Sequence, residues 1–176
     1  MKYTKCEKKS NKPGDLSYYI ILACVLALFI LCFQPVRVFG PSMENTLSNG
    51  DFLILLRAWL VDDYEKGDIV VAAKEQFHNG ENFIKRVIAI EGQVVDIDTE
   101  TGTVYVDGLA LNEPYISSLT TSADTDMFPL TVPENYYFLL GDNRAESVDS
   151  RFYDIGLIHK SEIKGKLLFV LFPGSN

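Results

Sequence analysis

The chain has 176 residues, of which 47% are apolar, and a formal net charge of −8. That length allows one domain of ordinary size together with an accessory segment. The charge is unevenly spread, because residues 1–15 hold five lysines against two acids, a net of +3, which leaves −11 on the remainder. An acidic body repels a phosphate backbone, so we expect no binding of nucleic acid.

The cysteine and histidine content argues against a metal centre. The cysteines, Cys6, Cys24 and Cys32, all precede residue 33, and the only histidines are His78 and His159. The body of the sequence therefore has neither thiolate ligands nor a disulfide framework. No carboxylates stand at a spacing from the histidines that suits zinc. We expect no metal and no cofactor.

An apolar run from Leu16 to Phe33, 18 residues without a charge, follows the lysines. A helix of that length is about 27 Å long, close to the roughly 30 Å of a hydrocarbon core. Residues 34–39 lack the small side chains that signal-peptide cleavage needs, and the run lacks the polar face of a core helix. The pattern therefore predicts a retained transmembrane helix over 16–33.

The charge flanking that run predicts its orientation in the cell membrane. Basic residues stay on the cytoplasmic side, and Arg37 is the only one in the 20 residues after the run. We therefore expect a single-pass protein with residues 1–15 as a basic cytoplasmic tail. Residues 34–176 are predicted to form an extracytoplasmic domain.

Short apolar or β-branched runs separated by turn signals make up the rest of the chain, so this domain is predicted to be mainly antiparallel β. Residues 36–39 alternate as an extended approach. The predicted strands are residues 51–56, 69–71, 82–90, 94–97, 103–106, 136–140 and 167–172. The segment His78-Asn79-Gly80-Glu81 is typical of a hairpin turn. Residues 117–131, rich in Ser, Thr and Asp, are predicted to be a surface loop.

Ser42 stands nine residues beyond the apolar run and is the first candidate for chemistry. A serine hydroxyl needs a base to act as a nucleophile at neutral pH, and the usual suppliers are histidine and lysine. His78 and His159 have polar flanks that do not indicate a positioned imidazole. In isolation, a serine such as Ser42 is more typical of a surface hydroxyl.

Lys85 lies within the predicted strand 82–90 and is the second candidate. The period of a strand places it on one face with Phe83, Val87 and Ala89, and such apolar neighbours disfavour the charged form of an amine. The alternative is a strand lysine whose stem packs while its ammonium reaches water.

Residues 141–151, GDNRAESVDSR, interleave two arginines with acids and hydroxyls. An Asp–Arg clamp with a hydroxyl near the lysine is chemically sensible there. A solvated turn with local side-chain hydrogen bonds is the alternative. Spacing alone does not separate the two.

Together these segments resemble the bacterial type I signal peptidases, membrane-bound Ser-Lys proteases that remove signal peptides from exported proteins. The body has no large inserted second domain, and in this it resembles the Gram-positive type of the family. The resemblance runs from the apolar run to the last predicted strand. The motifs that carry it are Pro41-Ser42-Met43 with Thr46-Leu47 and Gly50-Asp51, Lys66-Gly67-Asp68-Ile69-Val70, Ile84-Lys85-Arg86-Val87-Ile88 with Gly92, Glu113-Pro114-Tyr115, and Gly141-Asp142-Asn143-Arg144 with Ser147, Asp149, Ser150 and Arg151.

This resemblance implies one transmembrane helix followed by an antiparallel β catalytic domain of the signal peptidase and LexA-like kind. It implies that Ser42 is the nucleophile, that Lys85 is the general base and that Ser147 orients the lysine amine. The supporting ion-pair network would consist of Asp142, Arg144, Asp149 and Arg151.

The implied partners are signal peptides with small residues at the first and third positions before the cut, and the lipid bilayer. The candidates to line the shallow substrate pockets are Val36, Val38 and Leu47. Met43 is a candidate to touch the lipid surface.

Four positions depart from the family's pattern. Asn45 replaces the usual proline before Thr46, which frees a backbone φ angle and is predicted to loosen the loop around Ser42. Ala145-Glu146 replaces the commoner Asp-Asn pair. Gly40 stands where some members have a serine that supplies a second oxyanion donor, so that donor is unassigned.

Two rival functions differ in class. A soluble, self-cleaving Ser-Lys repressor of the LexA type would lack the apolar run and the lysine-rich tail. A catalytically silent or pilin-dedicated membrane-anchored β-domain that binds exported partners would be expected to have lost Ser42 or Lys85.

Overall fold

The computed structural model describes residues 13–75, 77 and 80–174. The chain divides into two units, with the boundary after Cys32. The first unit holds helix α1 (Pro13–Cys32), whose large apolar side chains are exposed by 51% at Phe29 to 68% at Leu16. The helix ends one residue before the predicted end of the apolar run, because Phe33 opens the first strand. Over the residues that the structure describes, no helix is long and apolar enough to cross a membrane.

The second unit is a β-domain whose described strands all pair antiparallel. In chain order the strands are β1 (Phe33–Arg37), β2 (Phe52–Arg57), β3 (Ile69–Ala73), β4 (Asn82–Ala89), β5 (Val94–Asp98), β6 (Thr103–Val106), β7 (Leu109–Ala110), β8 (Leu130–Thr131), β9 (Tyr136–Leu140), β10 (Ile158–His159) and β11 (Ile163–Phe172). One sheet has the order β1-β2-β11-β3-β4-β9-β10, and a smaller sheet has the order β7-β6-β5-β8. The predicted antiparallel β architecture is confirmed.

Each predicted strand corresponds to an observed one, and the differences have local causes. Strand β11 begins at Ile163 rather than at residue 167, because Gly165 interrupts the apolar pattern. A Cβ at Gly165 would lie 2.4 Å from the carbonyl oxygen of Leu56, so the close approach of β11 to β2 requires glycine there. The extended approach predicted at 36–39 lies earlier, as β1.

The loop prediction for 117–131 is wrong at its end, where Leu130 and Thr131 form β8 against β5. Strands of two residues are too short to show a period of two in the sequence. The predicted hairpin turn at 78–81 lies partly outside the described residues, at His78 and Asn79. Strands β3 and β4 on either side of it do pair, with Ala73 opposite Asn82.

Three hydrophobic clusters form the core, and one of them supports the segment around Ser42. It includes Val38, Met43, Leu47 and Leu53, all buried. Met43 is 1% exposed, so the expectation that it touches lipid is wrong. Its side chain instead packs the loop that carries Ser42 onto the sheet.

A bulge in β4 limits the predicted alternation around Lys85. The pairing of β4 with β9 shifts between Val87 and Ala89. Val87 belongs to one hydrophobic cluster, whereas Ile88 and Ala89 both belong to another. The prediction that Ala89 shares the face of Lys85 is therefore wrong, because an extra residue in a strand reverses the faces beyond it.

Candidate active site

Ser42 and Lys85 lie in contact within the β-domain. Lys85 sits in the middle of β4, opposite Val70 of β3, and only 4% of its surface is exposed. Its Nζ donates a hydrogen bond to Ser42 Oγ at 2.9 Å. The structure thus brings the predicted nucleophile and the predicted base together from positions 43 residues apart.

The surroundings of Lys85 favour its neutral form. Burial lowers the pKa of Lys85 from 10.5 to about 8, an effect opposed by the negative charge of Asp149 and aided by the positive charge of Arg151. The charge of Asp142 also raises the pKa, but burial outweighs both carboxylates. A free amine is therefore well populated near pH 8, and it lies within reach of a serine hydroxyl.

Residues 40–47, which we name the nucleophile loop, are held by their own backbone and by residues of the 141–151 turn. Within the loop, Leu47 N donates to Met43 O at 2.8 Å. From the turn, Asn143 N donates to Ser42 O at 3.0 Å, and Asn143 Nδ2 donates to Pro41 O at 3.2 Å. These bonds fix the carbonyls on both sides of Ser42 N, so they also set the direction of the Ser42 N–H group.

Asp142 pairs with Arg86, the residue next to Lys85. Arg86 Nε lies 2.8 Å from Asp142 Oδ1, and Arg86 Nη2 lies 2.6 Å from Oδ2. Asp142 is fully buried, and the Arg86 guanidinium stacks 4.1 Å from the ring centre of Tyr115. Arg86 was not predicted as a site residue, although it stands in the motif around Lys85.

Arg144 pairs with Glu113, not with Asp142. Its Nη1 donates to Glu113 Oε2 at 3.0 Å and its Nη2 bonds Oε1, while its Nε donates to Gly141 O at 3.1 Å. The Thr120 hydroxyl accepts a further bond from Nη1. Glu113, like Arg86, was not predicted as a site residue. Its segment was nevertheless among the motifs of the resemblance, as Glu113-Pro114-Tyr115.

Arg151 pairs with Asp149 in the interior. The bonds Nε to Oδ1 at 2.8 Å and Nη2 to Oδ2 at 3.0 Å make the pair bidentate. Arg151 Nη2 also donates to the carbonyls of Arg144 and Ser147, both at 2.9 Å. The four predicted ionic residues are therefore divided among three ion pairs that each brace the 141–151 turn.

Ser147 lies in the same turn, and its Oγ has no hydrogen-bond partner among the described residues. A Cβ at Gly141 would lie 2.2 Å from Ser147 Oγ and 2.6 Å from Ser42 O, so both serines press on this glycine. The orientation of the Lys85 amine by Ser147 stays a prediction.

A cleft of about 340 Å³ opens beside Ser42. Its walls are formed by β1 with the start of the nucleophile loop and by the start of β4, namely Val36, Arg37, Val38, Phe39, Gly40, Ser42, Met43, Asn82, Phe83 and Ile84. Val36 and Val38 line this cleft, whereas Leu47 packs in the core and is not part of the wall. Substrate binding by Val36 and Val38 stays a prediction. In the described part of the chain, no group of three His, Cys, Asp or Glu side chains is placed to hold a metal ion.

A serine hydroxyl against a buried lysine amine, beside a cleft in a β-domain, is the arrangement that a serine peptidase with a lysine base requires. Residues 15–172 match the family described as signal peptidase, peptidase S26, and the chain belongs to that family. It is a serine peptidase, a hydrolase, and the resemblance inferred from its motifs is confirmed.

Individual relatives agree with this assignment. Signal peptidase I of Bacillus licheniformis is 36% identical over 180 residues, which cover 95% of this chain and 94% of that protein. Signal peptidase I S of Bacillus subtilis strain 168 is 34% identical over 182 residues, or 96% of this chain and 95% of that protein. The crystal structure of a signal peptidase I from Enterococcus faecalis V583 matches with a TM-score of 0.51 and 28% identity, covering 61% of this chain and 99% of that one.

Proposed function

We propose that the protein is a membrane-anchored endopeptidase that removes signal peptides from exported proteins, with Ser42 as nucleophile and Lys85 as general base. The observation that carries this proposal is the 2.9 Å contact between Lys85 Nζ and Ser42 Oγ, made where burial lowers the pKa of the amine. The family of the chain supports the substrate class, since its relatives are named signal peptidases.

The geometry supports a two-step hydrolysis. The neutral Lys85 amine takes the proton of Ser42 as Oγ attacks the scissile carbonyl, and the resulting ammonium gives that proton to the leaving amine. A water molecule then attacks the carbonyl of the acyl-enzyme while Lys85 takes one of its protons, and Lys85 returns that proton to Ser42 Oγ as the ester bond breaks and the signal peptide leaves. The main-chain N–H of Ser42 is the proposed oxyanion donor, and one such donor contributes roughly 3 kcal/mol to transition-state stabilisation.

The cleft supports binding of an extended peptide with small side chains. Strand β1 lies at the edge of its sheet, so its outer backbone groups are available to pair with a substrate strand. Val36 and Val38 alternate along this wall and leave shallow space for small residues at the first and third positions before the cut. Leu47 supports the wall from the core rather than contacting substrate.

Apolar surfaces support the proposed partnership with the lipid bilayer. In the first unit, the leucine, isoleucine and phenylalanine side chains of α1 are exposed. In the β-domain, Phe39, Trp59 and Phe172 are each more than 60% exposed. We propose residues 1–15 as the cytoplasmic tail, 16–33 as the membrane anchor and 34–176 as the extracytoplasmic catalytic domain, following the lysine content of the tail.

The silent-binder alternative is less well supported. A domain that only holds exported partners, pilin subunits among them, does not need an amine with a lowered pKa next to a serine hydroxyl. Burying a lysine without an ion partner opposes folding, and such a residue is typical of a catalytic group.

The test uses the full chain reconstituted in lipid vesicles and a synthetic signal peptide that ends in Ala-x-Ala and continues into mature residues. Cleavage after the second alanine is followed by mass spectrometry. Ser42→Ala and Lys85→Ala should each lower kcat about a thousandfold or more, as loss of a nucleophile or its base does. The matched control replaces both histidines by glutamine and should keep full activity. Full activity in Lys85→Ala would remove the lysine from the mechanism.

A further inference from the structure

We infer, on the basis of the proposed function, that Thr46 is a positioning residue for the cleavage reaction. Its hydroxyl holds the end of the nucleophile loop against the Arg86–Asp142 ion pair. That contact connects the segment that carries Ser42 to the strand that carries Lys85, and so sets the geometry in which the two side chains meet.

The Thr46 hydroxyl is used both as donor and as acceptor. Its Oγ1 donates to Asp142 Oδ2 and accepts from Arg86 Nη2 at 3.3 Å. A hydroxyl supplies one donor and can accept as well, so a single side chain joins both members of the ion pair. A methyl group in its place keeps the shape and loses both bonds.

The ion pair is a fixed support for this contact. Besides Asp142, Arg86 binds the carbonyl of Gly67 through Nη1 at 2.9 Å, and its guanidinium lies on the ring of Tyr115. The Arg86 side chain is 12% exposed and that of Asp142 is 1% exposed. Because Arg86 directly follows Lys85 in β4, a loop attached to Arg86 is attached to the backbone of the proposed base.

Thr46 is a second polar attachment of the nucleophile loop to the 141–151 turn. Asn143 holds its beginning through the carbonyls of Pro41 and Ser42. The tip, Glu44 and Asn45, is exposed, and Asn45 lacks the fixed φ of the proline that is usual in the family at this position. Thr46 therefore restrains the end of the loop that Asn143 does not reach. Two consecutive residues of the 141–151 turn thus bind the loop, Asn143 at its beginning and Asp142 at its end.

The kinetic test compares Thr46→Val, Thr46→Ser and the matched control Thr101→Val. Thr101 Oγ1 makes the same type of bond, to Asp98 Oδ2 at 2.8 Å, at an exposed turn of the smaller sheet. We expect Thr46→Val to lower kcat about 30-fold with KM within twofold, because a small misplacement of reacting groups lowers the rate without changing substrate binding. Thr46→Ser should recover most of kcat, and Thr101→Val should match the wild type.

A second measurement reports the contact without any substrate. Hydrogen–deuterium exchange of the full chain in vesicles should be faster over residues 40–47 in Thr46→Val than in the wild type, and unchanged there in Thr101→Val. Unchanged exchange in Thr46→Val, or a Thr46→Ser variant as slow in kcat as Thr46→Val, would overturn the inference. If the wild type fails to cut the peptide while exchange in Thr46→Val rises, the contact stands and the proposed function falls.

Discussion

The interior of the β-domain holds two kinds of cation, and they are treated differently. The guanidinium groups of Arg86, Arg144 and Arg151 each face a carboxylate in a two-point contact. Lys85 is as deeply placed but faces a serine hydroxyl, and within the described residues it has no ion pair. Arginine keeps its proton in a protein, so its burial requires a partner, whereas lysine can become neutral by losing one.

This difference separates scaffold from chemistry. The paired arginines brace the 141–151 turn, and because they keep their protons they take no part in proton transfer. Burial without an ion partner lowers the pKa of the lysine, and a lowered pKa is the property that a general base needs near neutral pH. Substitutions that give residue 85 a permanent charge, or that leave a buried arginine without its carboxylate, are therefore expected to have large and different effects on activity and stability.

The largest effect is expected from making the lysine resemble the arginines. Lys85→Arg places a permanently charged group beside Ser42, which cannot take the serine proton. Cleavage of the signal peptide should fall about a thousandfold or more, as for removal of the base. Cleavage by Lys85→Arg within tenfold of the wild-type rate would show that the charge state of residue 85 is irrelevant.

Unpairing an arginine should strongly destabilise the domain. Asp149→Asn leaves the Arg151 guanidinium buried without a counter-charge, at a cost of about 3–5 kcal/mol in the free energy of unfolding. Denaturant unfolding at pH 7 measures it. Asp98→Asn, in an exposed turn, is the matched control and should leave the free energy of unfolding nearly unchanged. A similarly small cost for Asp149→Asn would mean that the pair is not structural.

Removing the amine should stabilise the fold at neutral pH. The pKa of Lys85 is lowered to about 8, so between that pH and its ordinary pKa the unfolded chain binds more protons than the folded one. Wild-type stability therefore rises with pH across this window. Lys85→Met should gain up to about 3 kcal/mol at pH 7, and the gain should disappear near pH 11. A difference that is independent of pH would contradict the assigned pKa.

The smallest effect is expected from changing the pH at which the wild-type enzyme cleaves the signal peptide. Below pH 8 the fraction of neutral Lys85 falls about tenfold per pH unit, so kcat/KM for the signal peptide should fall in parallel and should level off above that pH. Steady-state kinetics between pH 6 and pH 9.5 measure the profile. A rate that is constant over this range would exclude Lys85 as the titrating base.

The candidate nucleophile, the candidate base and the strand that carries Lys85 were predictable from sequence. Lys85 stands in a run whose period of two marks a strand, and the motifs around Ser42 and Asp142 follow one another in the order of the signal peptidase family. These signals are local, because strand period, turn residues and motif spacing are properties of short segments. They sufficed for the antiparallel β class, for the family and for the candidate nucleophile and base.

The tertiary structure alone decided which charges meet. Arg86 meets Asp142 across 56 residues and Arg144 meets Glu113 across 31, and no spacing along the chain distinguishes these pairs from the Asp142–Arg144 pair that adjacency suggests. The same holds for the burial of Met43 and Leu47 and for the bulge that turns Ala89 away from Lys85. The physical reason is that the order of strands in a sheet determines which charged side chains lie close together. The placement of β9 beside β4 is a property of the whole fold.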